Sequence, residues 1–246
     1  PFEKVLEGQA EARRCMQRKY FALKDQFVFI AAHELRNPVN AIKWAVELIE
    51  SKRVDHDSSV NNMYDVLERS AERLLNLVHD LLEVAKIESN VIHFSYGAYS
   101  TKLLCDGIVA ELSIKAQQEN KKIVCQISPD VPTVLADQDR LKEILDNLLS
   151  NALKFSHSGS EVSIGASWDE SHVTLSIEDC GLGISAEDAA HVFEKFWRAD
   201  SVKKTEGTGL GLFIAKHLIE QMKGRIWFES EAGEGTTFFV KLPRAE

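Results

Sequence analysis

Through the first third of the chain, apolar residues recur at every third or fourth position. Phe27, Ala31, Leu35, Val39, Ile42, Val46 and Ile49 predict one amphipathic helix. Val60, Tyr64, Leu67, Ala71, Leu74, Val78, Leu81 and Ala85 alternate steps of four and three and predict a second helix with a heptad seam. The polar stretch from Arg53 to Ser59 between them is turn-forming, so the two should fold back as an antiparallel hairpin. A lone hairpin cannot cover both its stripes, and two chains should therefore pair into a dimeric four-helix bundle. Periodicity alone fits a structural coiled-coil spacer equally well. Upstream, the charged segment Glu3–Gln26 is helical in composition and would extend the first helix.

From Val91 the period changes. The segments 121–128, 161–167, 172–179, 224–230 and 236–242 alternate apolar and polar residues and predict strands. Helical patterns separate them at roughly Thr101–Glu119, Asp137–Phe155, Ala186–Val192 and Leu210–Lys223. Ser185 with Asp188 resembles a capping box, and Gly224 stands where a helix end favours glycine. The fold class is thus α+β: a helical hairpin followed by an α/β sandwich, one sheet covered on one face by helices. Three regions are expected: an upstream helix at 1–20, the hairpin at 21–90 and the sandwich at 91–246.

The length of 246 residues suits two domains, and 44% hydrophobic residues suffice for a packed core. A formal charge of −9 argues against a nucleic-acid binder, which needs a basic face. Four scattered cysteines, Cys15, Cys105, Cys125 and Cys180, match neither a zinc site nor a disulfide framework and fit a reducing cytoplasm. No apolar run is long enough to span a bilayer, and there is no signal peptide. The first residue, Pro1, leads us to expect a fragment, with any membrane contact made through segments upstream.

Five patches carry candidate chemistry. In "HELRNP", His33 lies off the apolar stripe and should face water, and Pro38 leaves the Glu34 carbonyl without its usual donor. A neutral imidazole nitrogen is a nucleophile, and adjacent Glu34 can hold the other ring N–H. An exposed histidine is also commonly inert. In "DNLLSNALKFS", Leu141, Ile144, Leu145, Leu148, Ala152 and Phe155 form a buried stripe. Asn147, Asn151 and Lys154 then share a neighbouring face suited to a metal-chelated polyphosphate, or to an ordinary polar border. In "VTLSIEDCGLGIS", the strand phase of Val173, Leu175 and Ile177 carries Asp179 inward, where a ligand N–H such as the adenine amine would satisfy it. Gly181 and Gly183 allow close backbone approach there, although the segment also reads as a plain strand-end turn. In "GTGLGL", Gly207, Thr208, Gly209, Leu210 and Gly211 open a helix and offer an anion site. This is neither the dinucleotide glycine motif nor a Walker motif. Phe193 and Phe196 in "VFEKFWRAD" could anchor a mobile segment containing Arg198, or pack in the core.

Taken in order, these patches resemble the histidine, asparagine, first glycine, phenylalanine and second glycine boxes of bacterial sensor histidine kinases of the His-kinase-A type, from about Gln26 to Leu242. The resemblance implies a dimerisation and phosphotransfer hairpin followed by a Bergerat-type ATP-binding domain, using ATP and Mg²⁺. It implies His33 as phosphoacceptor, Glu34 as its acid/base partner and Asn37 as the residue orienting water for dephosphorylation of a response-regulator receiver domain. Asn151 resembles the Mg²⁺ ligand, with Asn147 and Lys154 near the phosphates. Asp179 resembles the adenine reader, Gly183, Gly207, Gly209 and Gly211 shape the pocket, and Arg198 resembles a lid arginine able to reach the γ-phosphate. Two positions depart from the family pattern: Ala32 replaces the usual Ser and Asn37 the usual Thr, which leaves the kinase chemistry intact. A catalytically dead scaffold and a nucleotide-driven clamp are the competing readings. Intact boxes oppose the first, and the exposed His–Glu pair is unexplained by the second.

Overall fold

The computed structural model describes residues 30–32, 34–49, 57–89, 91–199, 202 and 207–245. The chain divides into two compact units, Pro1–Leu82 and Glu83–Glu246. The boundary falls inside a helix, ahead of the domain limit expected after Asn90. From Glu83 onward that helix is bonded to the second unit through Arg140.

In the first unit, α1 is helical at 30–32 and 34–49, and α2 spans Asp57–Glu88. The guanidinium of Arg73 donates to the Glu34 carboxylate at 3.1 Å, tying the start of α1 to the later half of α2. That contact fits the antiparallel hairpin. The helix runs on through Pro38, which is buried. Ala31, Pro38 and Ala45, spaced by seven, are the buried ones among the described residues of α1. The larger predicted residues Val39 and Val46 are exposed, as is Trp44. On α2 the expected seam is only partly inward: Leu67, Leu74 and Leu81 are half-buried, whereas Tyr64, Ala71 and Val78 are exposed. The physical reason is width. One helix can cover only one side of a neighbour's apolar stripe, so Leu77 is buried while large residues on the stripe's other edge stay exposed. Phe27 lies outside the described residues.

The second unit holds a five-stranded sheet in the order β2-β4-β5-β7-β6. Its strands are β2 (Lys122–Cys125), β4 (Glu161–Trp168), β5 (His172–Asp179), β6 (Arg225–Glu231) and β7 (Gly235–Pro243). β2 pairs with β4 in parallel and every other pairing is antiparallel. Two further strands, β1 (Tyr96–Tyr99) and β3 (Val134–Asp137), pair antiparallel as a separate ribbon. Strand alternation builds the core: Val162 and Ile164, Val173, Leu175 and Ile177, and Phe238, Val240 and Leu242 all point to one face. Against that face pack α3 (Thr101–Gln118), α4 (Gln138–Phe155) and α5 (Gly211–Gln221).

The caps explain where these helices stand. Asp137 N-caps α4 by accepting from the Arg140 N–H at 3.1 Å, and its other oxygen accepts from Ser95 N–H at 2.7 Å. α3 ends on Asn120 at φ 54°, with Lys121 N–H returning to the Ala116 carbonyl, a Schellman closure. α5 closes the same way, but its left-handed residue is Lys223 (φ 59°), not the expected glycine. Gly224 is needed because a Cβ there would stand 2.5 Å from the Lys241 carbonyl oxygen.

Two expectations are corrected. The helix predicted at 186–192 is only a single 3-10 turn, Asp188–Ala190. Ser185 Oγ does accept from the Asp188 N–H at 3.1 Å, but a segment this short does not propagate a helix. On α4 the buried stripe is broader than predicted, including Leu149 and Leu153, and Phe155 is only half-buried at its edge.

Candidate nucleotide site and phosphoacceptor region

β5 ends on a carboxylate carried into the interior. The strand's buried positions run Val173, Leu175, Ile177, Asp179, and Asp179 is only 7% exposed. Burial, with a smaller contribution from the neighbouring Glu178 charge, pushes its carboxyl from an ordinary 3.8 up to about 6. Backbone N–H groups of Thr236 and Gly181 donate to it and partly offset that rise. Such a group is an acceptor held in a poorly solvated place.

The glycines after Asp179 exist for close approach. A Cβ at Gly181 would lie 2.3 Å from the Phe155 carbonyl oxygen. The end of α4 is stitched to this loop: Leu182 N–H donates to Phe155 O at 3.3 Å and His157 N–H to Cys180 O at 3.2 Å. Gly183, at φ +63°, sits where a Cβ would be 2.0 Å from the Glu231 carbonyl oxygen. Asp179 is thereby fixed relative to α4, which carries the amides.

On α4, Asn147, Asn151 and Lys154 are all half-buried and share the predicted face. Asn151 Nδ2 donates to Asn147 Oδ1 at 3.3 Å. The second glycine segment closes on the same face. A Cβ at Gly211 would stand 2.4 Å from Asn147 Oδ1, and one at Gly207 would stand 2.9 Å from Lys154 Nζ. The start of α5 therefore abuts the amide face. Leu210, fully buried, anchors the segment, and its N–H donates to Thr208 Oγ1 at 3.2 Å. Gly209 (φ +71°) accepts through its carbonyl from the Phe196 N–H at 2.9 Å, Phe196 itself being left-handed at φ 59°. Arg198 donates to the carbonyls of Gly207 at 3.1 Å and Val202 at 2.7 Å. A hollow of about 370 Å³ reaches Asp179 and Thr236. A second of about 600 Å³ lies on the uncovered sheet face around Trp227 and Phe239. The amide face of α4 lines neither.

In the hairpin, His33 lies outside the described residues. Glu34 is half-buried and paired with Arg73, and Asn37 is exposed. Sequence reasoning missed Arg73 and a second charged cluster. Glu83 is 2% exposed, and its carboxylate accepts from Arg140 Nη1 at 2.9 Å and Lys86 Nζ at 2.7 Å. Burial alone would raise this carboxyl, but Lys86 and Arg140 hold it below its usual value. Its only sequence signal is a glutamate beside a heptad seam.

Residues 23–90 match the His Kinase A (phospho-acceptor) domain. Residues 136–246 match the histidine kinase-, DNA gyrase B-, and HSP90-like ATPase. The chain is 33% identical over 235 residues to the sensor protein GacS of Pseudomonas syringae pv. syringae, covering 91% of this chain and 25% of GacS. The structure of full-length ShkA in complex with AMPPNP is 30% identical with a TM-score of 0.67, covering 90% of this chain and 46% of that one. Histidine kinase ThkA, solved in complex with the response regulator protein TrrA, shares the fold at a TM-score of 0.74 and 22% identity, over 93% of this chain and 64% of that one. The chain belongs to the two-component sensor histidine kinases, and it spans 23–39% of the length of the curated relatives it matches. Among the described residues, no helix is long and apolar enough to cross a membrane.

Proposed function

We propose that this chain is the catalytic core of a sensor histidine kinase, transferring the γ-phosphoryl of ATP to His33 and from there to a response-regulator aspartate. The observation carrying this reading is Asp179: a buried, acceptor-only carboxylate fixed by Gly181 and the end of α4 to the face bearing Asn147, Asn151 and Lys154. These residues fit Mg²⁺-ATP. A carboxylate suits the adenine amine, amide oxygens suit a hard cation and an ammonium suits phosphate. Mg²⁺ would be held by Asn151 and would neutralise charge on the transferring group. Asp179 reads the base, Lys154 draws the phosphate chain, and Gly181, Gly183, Gly207, Gly209 and Gly211 let backbone close around it. Thr208 and Leu210 keep the second glycine segment in place, Phe196 anchors its approach, and Arg198 is the lid arginine.

In the hairpin, an imidazole nitrogen of His33 forms the new N–P bond as the bond from the γ-phosphorus to the ADP oxygen breaks, and the Glu34 carboxylate accepts the proton of the other ring nitrogen. Asn37 orients water against the aspartyl phosphate of the docked receiver domain. Homodimerisation is supported by exposed Tyr64, Leu75, Val78 and Leu82 on α2 and Val39, Trp44 and Val46 on α1, more apolar surface than a lone hairpin should leave to water. The division into 1–20, 21–90 and 91–246 remains our functional assignment, as does a cytoplasmic location. Incubation with ATP labelled at the γ or the α position tests the reading. Label should enter the protein from the γ position only, as acid-labile and base-stable phosphate. Acid-stable label, or none, refutes it.

A further inference from the structure

Glu34 follows His33 directly in the sequence, and a glutamate side chain has several rotamers open to it. Where Glu34 turns is therefore set by what holds it. It is held across the hairpin: Arg73 Nη2, thirty-nine residues later in sequence, donates to Glu34 Oε2 at 3.1 Å, with both side chains half-buried. Ion pairs at this exposure add little to stability. A charge-assisted hydrogen bond does restrict the carboxylate's rotamers, and a carboxylate has two oxygens through which to accept.

We infer that Arg73 is a positioning residue for phosphorylation of His33, acting through Glu34: α2 supplies the guanidinium that fixes the acid/base group of α1. The inference rests on the reading of Glu34 as that group. On this account the second hairpin helix contributes to the chemistry as well as to dimer contact. A change in how the two helices of one hairpin lie against each other would then alter the rate of His33 phosphorylation without touching the nucleotide.

The test is a double-variant cycle on the whole chain, read as single-turnover phosphorylation of His33 at saturating Mg²⁺-ATP. Arg73→Ala should slow the reaction about tenfold, with the KM for ATP and the melting temperature unchanged. Arg73→Gln, which keeps a polar side chain without the charge, gives the same reading should the alanine variant lose stability. Arg73→Lys should recover part of the rate. Glu34→Gln should slow the reaction about a hundredfold or more, and adding Arg73→Ala to it should slow it no further. Equal losses in both backgrounds would show a merely structural role and overturn the inference. An unchanged or faster rate in Arg73→Ala alone would overturn it too, the latter meaning that the pair restrains Glu34. A Glu34→Gln chain as fast as the wild type would instead overturn the acid/base reading itself, and this inference with it.

Discussion

Replacing Asp179 with Asn should stabilise the ligand-free ATP-binding domain at neutral pH while weakening its hold on ATP. In the folded protein the Asp179 carboxyl keeps its proton up to about pH 6, whereas unfolded it ionises near 3.8. Between those values the folded state binds more protons, so raising the pH destabilises it. The penalty is complete above about pH 6. A displacement from 3.8 to about 6 is worth about 3 kcal/mol at 1.36 kcal/mol for each pH unit. The asparagine keeps only one acceptor for the Thr236 and Gly181 N–H groups, so we expect a net gain of about 1–2 kcal/mol at pH 7.5. That gain should vanish towards pH 4. Nucleotide binding has the opposite sign, because protonation takes the negative charge from the acceptor and turns one oxygen into a donor, so ATP affinity should fall as pH drops through about 6. Denaturant melts of both proteins from pH 4 to 8, with and without ATP, report both effects. A variant with the wild-type pH slope, or one gaining as much stabilisation from ATP as the wild type, would show that the Asp179 argument is wrong.

Two further substitutions separate parts of the account. Gly211→Ala places a methyl 2.4 Å from Asn147 Oδ1, the movable end of a side chain, so Asn147 should swing away and lose its bond to Asn151. Stability should fall by about 1 kcal/mol while calorimetry shows ATP affinity reduced about tenfold or more; intact affinity contradicts the amide assignment. Asn37→Ala should cut dephosphorylation of the phosphorylated regulator while His33 phosphorylation changes little. A joint fall of both rates with melting temperature would instead assign Asn37 to accommodating Pro38.

What the sequence makes legible depends on how many residues share one constraint. β5 was readable because Val173, Leu175, Ile177 and Asp179 all obey the period of two, and the same phase locates the buried carboxylate. α4 was readable because its apolar stripe leaves Asn147, Asn151 and Lys154 on one adjacent face. β1 and β3 were not, being four residues each and stable only as each other's partner. The turn after Ser185 carries a helix-start signal with too little chain to propagate it. In the hairpin, a heptad seam identifies an apolar stripe without saying which edge meets the neighbouring helix and which meets solvent. Arg73–Glu34 and Arg140–Glu83 were invisible for a related reason: charges on helix faces read as solvated until the fold brings their partners together.

If the phosphoryl group of ATP ends on His33, removing that one imidazole must abolish the label. The most direct measurement is phosphate incorporation from γ-labelled ATP into the wild-type chain and its His33→Gln variant, with ATP binding measured on both. Acid-labile phosphate is expected on the wild type and none on the variant, with equal ATP affinity, since the proposed nucleotide residues all lie from Asn147 onward. Phosphate retained by the variant would contradict transfer to His33.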